Sequence, residues 1–427
     1  MSRPLLFLLP LAFVPAAWAE APVPVKPELL DQVVEWRRDL HAHPELGNHE
    51  TRTAQVIAAH LRRLGLTPKT GIAHTGVTAR LKGGKPGPRI ALRADMDALP
   101  VVEQTGLPFA STVRSEYRGQ PVGVMHACGH DMHVSILMGV ADALVARRDE
   151  LPGEVLFVFQ PAEEGPPVAG EAAGAELMLE QGIFADFKPD AVLGLHVWAG
   201  LHVGQIGVRS GGMMASADEW TLTVKGKQTH GSQPWAGVDP ITVGAQILLG
   251  AQSIIARQVD ITRSPVVLTA GQFQAGVRFN IIPDEAILVG TLRTFDPALR
   301  EDVIARFRGT AEHFAGASGA SASLEVVNNA PALINDAALY RQLLPSLERA
   351  VGTGSVVEVP PVTAAEDFSR FADASRGLFF FVGSTAADKD PATMPMNHSP
   401  FYAPDEGALE VGLRAMLQAT LDFLGAS

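Results

Sequence analysis

The stretch 125–133 carries the densest set of potential metal ligands in the chain, with the sequence Met-His-Ala-Cys-Gly-His-Asp-Met-His. It includes the only cysteine of the protein, Cys128. Thiolate and imidazole are ligands that zinc and other borderline divalent metals prefer. Gly129 lets the backbone turn so that Cys128 and His130 can face one ion, and the apolar residues that follow predict a helix that anchors the loop. The stretch indicates a metal site, although a buried cysteine beside solvated histidines would give the same short pattern.

Acidic residues follow two apolar runs that predict buried strands. Asp95 and Asp97 come after one run, and Glu163 and Glu164 come directly after another. Open α/β sheets bind their ligands at the carboxyl ends of strands. Asp97 is placed to accept a hydrogen bond from a ligating histidine, whereas Asp95 could equally cap the following turn. Of the two glutamates, one can ligate a metal while its neighbour points the other way and moves protons.

Two further histidines follow predicted strands of the same kind. His196 comes after the apolar run 191–195, and His398 comes after the apolar run 378–382. Four strands thus direct acids, a thiol and imidazoles to one edge of a predicted sheet. This repetition is stronger evidence for a metal centre than any single motif.

The length of the chain predicts two domains, because 427 residues exceed what one hydrophobic core usually supports. Continuously apolar strands predict an α/β catalytic domain with a mostly parallel central sheet flanked by helices, built from 20–211 and 328–427. Between them, 212–327 alternates between apolar and polar residues, which predicts an inserted α+β domain. The glycine-rich stretch 211–214 is predicted to be the hinge.

Polar residues of the insert stand beside glycine and proline, which predicts loops or strand ends. His230, Arg278 and Asn280 are of this kind, and an exposed turn is an equally good interpretation of His230. Asp239 and Pro240 predict the N-cap and first residue of a helix.

The first 19 residues predict a signal peptide, with a basic start, an apolar stretch too short to span a bilayer, and Ala17-Trp18-Ala19 as the cleavage site. We therefore exclude 1–19 from the fold and expect an exported protein, periplasmic or secreted. A net charge of −12 argues against nucleic-acid partners and against anionic membrane surfaces.

Eight motifs in order resemble the aminoacylase-type metallopeptidase family, and most of all its branch of hippurate hydrolases, N-acyl-amino-acid amidohydrolases and indole-acetyl-amino-acid hydrolases. They are RADMDALP (93–100), MHACGHDMH (125–133), QPAEEG (160–165), GLHVW (194–198), QTHGSQPW (228–235), NIIPD (280–284), EDF (366–368) and NHSP (397–400).

The resemblance implies a site for two divalent ions, with Mn²⁺ or Zn²⁺ expected and Co²⁺ or Ni²⁺ also compatible. It implies these metal ligands: Cys128, His130, Glu164, His196 and His398. It also implies that Glu163 is the general base and that 212–327 is a lid that pairs with a second subunit. His230 would then hold the oxyanion, and Asn280 and Arg278 would contact substrate.

We therefore expect a metalloamidase that cleaves N-acyl-amino acids to a carboxylic acid and a free amino acid. Dipeptidase or carboxypeptidase activity is the nearest alternative. The residues also leave open a thiol hydrolase with Cys128 as nucleophile and His126 or His130 as base, or a non-catalytic binding clamp. The loop 165–174 could reshape the acyl pocket, and Trp198 and Trp235 could either line that pocket or serve ordinary packing.

Overall fold

The computed structural model describes residues 22–425. The predicted signal peptide, 1–19, lies outside this part of the chain. Within the described part, no helix combines the length and apolar character needed to cross a membrane.

The helices are α1 (Pro27–Ala42), α2 (Thr51–Arg63), α3 (His130–Val145), α4 (Gly174–Glu180), α5 (Pro240–Arg257), α6 (Pro297–Ala317), α7 (Ala337–Val351), α8 (Phe368–Ala374) and α9 (Gly407–Leu424). The strands of the first part of the chain are β1 (Lys69–Ile72), β2 (Gly76–Lys82), β3 (Lys85–Asp95), β4 (Arg114–Tyr117), β5 (Gln120–Gly123), β6 (Pro152–Gln160), β7 (Ala191–His202), β8 (Ile206–Val208) and β9 (Gly211–Met214). The later strands are β10 (Ala217–Lys225), β11 (Thr229–His230), β12 (Val266–Ala275), β13 (Ile281–Ile282), β14 (Glu285–Thr294), β15 (Ser321–Ala330), β16 (Leu333–Asn335), β17 (Val356–Glu358) and β18 (Gly377–Thr385).

A central sheet of eight strands has the order β1-β2-β6-β3-β7-β18-β8-β17. Its four middle strands, β6, β3, β7 and β18, run parallel. The strands β1 and β2 add an antiparallel edge, and β8 is antiparallel to β18. The predicted α/β class with a sheet flanked by helices is confirmed, and the sheet is mixed with a parallel centre.

Helices cover both faces of this sheet, which explains why its middle strands are apolar throughout. The larger core packs α1, α2, α3, α7 and α9 against alternate strand residues such as Phe157 and Phe380. The other face packs α4 and α8 against the intervening residues, among them Val158 and Phe381. Asp95, Glu163 and Glu164 lie at or just beyond the carboxyl ends of these strands.

The middle of the chain forms a second, antiparallel sheet in the order β12-β14-β10-β15. One face of that sheet packs on α5 and α6 around the buried Trp220. The predicted cap of α5 is present, because Asp239 accepts hydrogen bonds from the amides of Ile241 and Thr242. The strand β15 continues past residue 327, the predicted end of the insert, to Ala330.

The two connections to this second sheet are paired with each other. Strand β9, which covers the predicted hinge, forms an antiparallel ladder with β16, and Gly211 lies opposite Asn335. Asn335 is buried, and its side chain donates hydrogen bonds to the carbonyls of Arg209 and Phe379. The predicted hinge is therefore a hydrogen-bonded ladder anchored to the central sheet.

Gly129 is a position where the fold requires glycine. It precedes α3 with φ at +90°, and a Cβ added there would lie 2.3 Å from Val197 Cγ2. We expect Gly129→Ala to lower the free energy of unfolding by about 3 kcal/mol, because left-handed strain adds to steric overlap in a packed region. Urea unfolding of both proteins measures the difference.

The matched control is Gly204→Ala, at φ +91° with no heavy atom within 4 Å of the added Cβ. Its loss should be only about 1 kcal/mol, which is the left-handed strain alone. Equal losses for the two variants would show that the packing around Gly129 is not the constraint.

Candidate metal centre

The parallel strands bring the predicted site residues to one edge of the central sheet. Asp95 ends β3, Glu163 and Glu164 follow β6, and His196 lies in β7. Cys128 and His130 reach the same edge from the loop before α3. Cys128, His130 and His196 are buried, whereas His398 has an exposed side chain.

Two sets of three ligand atoms share the Cys128 sulfur. In each set, all atoms lie within 4.8 Å of one another, and the sets are Cys128, His130 and His196, and Cys128, Glu164 and His398. The Cys128 Sγ is 3.2 Å from the Nε2 atoms of both His196 and His398. His398 Nε2 is 2.9 Å from Glu164 Oε1. The structure thus brings together all five predicted ligands, with the thiol between the two sets.

Hydrogen bonds fix the buried histidines in the orientation that ligation requires. Asp97 Oδ1 lies 3.1 Å from His130 Nδ1, so that Nδ1 donates and Nε2 carries the lone pair that an ion requires. The Nε2 atom of His130 has no hydrogen-bond partner among residues 22–425. Likewise, His196 Nδ1 donates to the carbonyl of Val197 at 2.7 Å. Both rings therefore leave Nε2 available, and the donor set fits divalent ions of the zinc or manganese type.

Asp97 controls two ligands at once. Its Oδ2 accepts a hydrogen bond from the amide of Glu164 at 2.9 Å, while its Oδ1 holds His130. One buried carboxylate thus sets the position of a ligand from each set.

The loop that carries His398 is fixed to the other ligand segments. His398 has φ at +73°, and its amide donates to the carbonyl of Ala127 at 2.8 Å. The side-chain amide of Asn397 donates to the carbonyls of Cys128 and Val197, at 3.1 Å each. These bonds hold the loop against the ligand cluster despite the exposure of the imidazole.

Cys128 lies in an environment that opposes a free thiolate. Burial raises the pKa of the thiol well above its usual range, and the negative charges of Glu164, Glu163 and Asp95 raise it further. A nucleophilic cysteine requires a lowered pKa, whereas a coordinating cation deprotonates a thiol. His126, the predicted alternative base, is buried and has no hydrogen-bond partner on either ring nitrogen within the described chain. This environment favours ligation over attack by the thiol.

Glu163 stands between the ligands and a second group of acids. Its carboxylate is within 4.8 Å of ligand atoms of His130 and Glu164 on one side, and of Glu366 and Asp367 on the other. Loss of hydration raises the pKa of Glu163 well above its usual range, and the charges of Glu366, Glu164 and Asp367 act in the same direction. A carboxylate with a raised pKa that lies beside a metal site is suited to take up and release a proton.

Arg93 is a buried cation that the sequence analysis did not single out. Its Nη1 donates to Asp95 at 2.6 Å, and its Nη2 donates to Glu366 at 2.9 Å. Asp95 also lies 2.5 Å from His133 Nδ1, so Asp95 joins a charge network instead of capping a turn. Both residues lie in motifs of the resemblance, Arg93 in RADMDALP and Glu366 in EDF, but no local pattern indicated that they form an ion pair.

The predicted substrate residues lie together in the second sheet region. His230 pairs with Ile281 across β11 and β13, and Arg278 Nε donates to Asn280 Oδ1 at 2.9 Å. His230 is exposed, and among the described residues no hydrogen bond links it to the ligand cluster.

The two tryptophans considered for an aromatic pocket occupy different surroundings. Trp198 stacks on Phe381 with ring centroids 4.6 Å apart, and its centroid is 6.2 Å from that of His196. Trp235 is 81% exposed in the second sheet region.

A sheet edge that gathers a thiol, imidazoles and carboxylates beside a non-ligating glutamate is the arrangement of a metal-dependent hydrolase. Residues 91–422 match the family described as Peptidase family M20/M25/M40. The chain belongs to this family, as its motifs indicated, and it is a hydrolase that acts on carbon–nitrogen amide bonds.

Relatives and a solved structure extend over most of the chain. Thermostable carboxypeptidase 1 of Saccharolobus solfataricus is 37% identical over 398 residues, which cover 93% of this chain and 96% of that protein. N-acyl-L-amino acid amidohydrolase of Geobacillus stearothermophilus is 42% identical over 276 residues, which cover 65% of this chain and 70% of that protein. The Bacillus subtilis YxeP protein, described as a dinuclear metal binding peptidase, has a TM-score of 0.77 and 34% identity, covering 94% of this chain and 100% of its own.

Replacement of Asp97 tests its two hydrogen bonds, to His130 Nδ1 and to the amide of Glu164. In Asp97→Asn, one side-chain oxygen becomes an NH₂ group that cannot accept, so either His130 or the Glu164 amide loses its partner. We expect metal affinity to fall by about 10- to 100-fold, measured by competition with a chelator of known affinity.

The control is Asp218→Asn, which also removes a buried carboxylate but sits in the second sheet with Arg300 2.7 Å away. It should lower stability without changing metal affinity. Unchanged affinity in Asp97→Asn would contradict the ligand-orienting role of Asp97.

Proposed function

We propose that this chain is a metal-dependent amidohydrolase that cleaves N-acyl-amino acids to a carboxylic acid and a free amino acid. The observation that carries the proposal is the position of Glu163 beside two ligand sets that share the Cys128 sulfur. The similarity to the N-acyl-L-amino acid amidohydrolase of Geobacillus stearothermophilus supports the choice of substrate class.

The five ligands would hold two divalent ions, Mn²⁺ or Zn²⁺, and the mixed sulfur, nitrogen and oxygen set also suits Co²⁺ or Ni²⁺. When bound, these ions polarise the scissile carbonyl and lower the pKa of water toward 7. The description of the YxeP protein as dinuclear supports the number of ions.

Glu163 would act as the general base. It would accept a proton from the attacking water and then deliver that proton to the leaving amine, so one carboxylate serves both steps.

Residues of the second sheet region would complete the site. His230 would stabilise the oxyanion, and Asn280 and Arg278 would bind the substrate carboxylate. Because His230 is exposed and separate from the ligands of its own chain, we propose that it acts after closure of the lid or in the site of a second subunit, in a homodimer formed through 212–327.

We further propose that the protein is exported to the periplasm or secreted, on the basis of the predicted signal peptide. No membrane association is proposed after cleavage, and no nucleic-acid partner. A net charge of −12 argues against nucleic acid and anionic membrane surfaces as partners.

Carboxypeptidase activity is the second candidate, because a relative that covers 93% of this chain is Thermostable carboxypeptidase 1. The two activities share the same bond chemistry and differ in what lies on the acyl side of that bond. A carboxypeptidase accepts a peptide there, whereas an amidohydrolase of N-acyl-amino acids accepts a simple acyl group. Substrate preference decides between them.

The test is release of free amino acid from hippurate, N-acetyl-Met, N-acetyl-Phe, indole-acetyl-Ala and an unblocked dipeptide, by wild type and by Glu163→Gln. Glutamine keeps the shape of the side chain but cannot accept the proton. We therefore expect kcat to fall by about 10²- to 10⁴-fold while the ions stay bound. The control is Glu180→Gln, an exposed residue at the end of α4, which should match wild type.

Faster turnover of the N-acyl substrates than of the dipeptide would support the first candidate over the second. A Glu163→Gln variant with wild-type kcat would contradict the role of Glu163 as general base. Binding of the panel without turnover by the metal-loaded wild type would point to a clamp.

A further inference from the structure

The turn that presents Glu163 and Glu164 has a strained backbone. The amide of Gly165 donates to the carbonyl of Ala162 at 3.2 Å, so the two glutamates occupy the central positions of the turn. Ala162 has φ at +50°, in the left-handed region. A residue with a Cβ is strained there by about 1 kcal/mol, so neighbouring contacts must hold it.

Glu50 supplies such a contact. Its side chain is 0% exposed, and its Oε1 accepts a hydrogen bond from the amide of Ala162 at 2.8 Å. Its Oε2 accepts a hydrogen bond from Thr75 Oγ1 at 2.5 Å. Both oxygens of a fully buried acid are thus engaged, one of them on the residue directly before Glu163.

The position of Glu50 in the chain shows that its side chain is free for this contact. Glu50 stands at the N-cap of α2, where an acidic side chain ordinarily accepts from the first helical amides. Here the carboxylate of Glu45 accepts the hydrogen bonds of those amides instead, from Arg52 at 2.9 Å and from Thr53 at 2.8 Å. Glu50 points instead to the turn before Glu163.

The segment around Glu50 packs directly on the same turn. A Cβ added to Gly47 would lie 2.5 Å from the carbonyl oxygen of Gly165 and 2.9 Å from Ala162 Cβ. On the far side of Glu163, Asp97 accepts from the amide of Glu164. Buried acids therefore bind the backbone on both sides of Glu163, at Ala162 and at Glu164.

We propose that Glu50 is a positioning residue for amide hydrolysis: its buried carboxyl holds Ala162 in the left-handed conformation and thereby directs the carboxylate of Glu163 toward the reacting water. The proposal rests on the proposed role of Glu163 as general base. Asp97 orients metal ligands, whereas Glu50 acts on the base alone.

The hydrogen-bond pattern, and not a negative charge, is what this role requires. Burial raises the pKa of Glu50 to about 8, and the charge of Asp97 acts in the same direction, so the surroundings do not favour a negative charge here. Glutamine has the same length, its oxygen can accept from the Ala162 amide, and its NH₂ can donate to the Thr75 hydroxyl, which rotates to accept instead of donating. Aspartate keeps the acid but withdraws it by one methylene, about 1.5 Å, from the Ala162 amide.

The experiment compares Glu50→Gln with Glu50→Asp on the substrate that wild type hydrolyses best. We expect Glu50→Gln to keep kcat within about threefold of wild type, whereas Glu50→Asp loses about 10- to 100-fold in kcat with little change in KM, because the base is misplaced while substrate binding is not. Metal content should match wild type in both. Glu35→Asp, on the exposed side of α1, is the matched control.

A second measurement does not depend on activity. Hydrogen exchange of peptides that span 161–165 should show the Ala162 amide protected in wild type and Glu50→Gln, and exchanging faster in Glu50→Asp. Should Glu50→Asp fail to fold, Glu50→Met replaces it, since methionine keeps the volume, carries no buried charge and cannot hold the amide. It should show the same loss of kcat.

Wild-type kcat in folded Glu50→Asp or Glu50→Met would overturn the proposal, and so would equal impairment of Glu50→Gln and Glu50→Asp. Loss of metal from Glu50→Asp would also overturn it, because the effect would then act on the ligands. If wild type hydrolyses none of the substrates, the proposed function fails, and exchange at Ala162 still decides whether Glu50 holds the turn.

Discussion

Neutralisation of closely packed carboxylates is the constraint on which this structure depends. Asp95, Asp97 and Glu366 are buried at one sheet edge, and Glu163 and Glu164 lie beside them. Acids in such surroundings are stable only if cations, hydrogen bonds or bound protons compensate them. Arg93 supplies one cation, and the ring nitrogens of His130 and His133 face Asp97 and Asp95. The ligand sets around Cys128 supply the place for divalent cations, so the same feature that would destabilise an ordinary core defines the site.

Much of the fold and of the ligand set could be predicted from the sequence because both depend on local patterns. Apolar runs predict buried strands, and each run was followed by a polar residue, so parallel pairing brings Glu164 and His196 to one edge. The Asp239 cap of α5 was equally predictable, since an N-cap contacts amides only two and three residues later. The resemblance of the motifs assigned roles within this set, and the family match confirms the resemblance itself.

The remainder depends on contacts that no local pattern encodes. Arg93 meets Glu366 across 273 positions of sequence, and Glu50 meets Ala162 across 112. An arginine in an apolar run and a glutamate before a helix have ordinary explanations, so nothing in their own neighbourhoods reveals their partners. The stretch 211–214 predicted a hinge, but no local pattern showed that β16 returns from the second sheet and pairs with it. In each case the partner is brought into contact only by the tertiary fold.

If hydrolysis depends on two ions held by the Cys128-centred ligands, turnover must follow metal occupancy, and a metal titration measures both. Protein stripped with a chelator receives Mn²⁺ or Zn²⁺ in steps, and turnover is recorded beside the bound metal measured by elemental analysis. We expect no turnover in the stripped protein and full recovery as occupancy approaches two ions per chain. Turnover that survives complete removal of metal would show that hydrolysis does not need the ions and would favour Cys128 as a nucleophile.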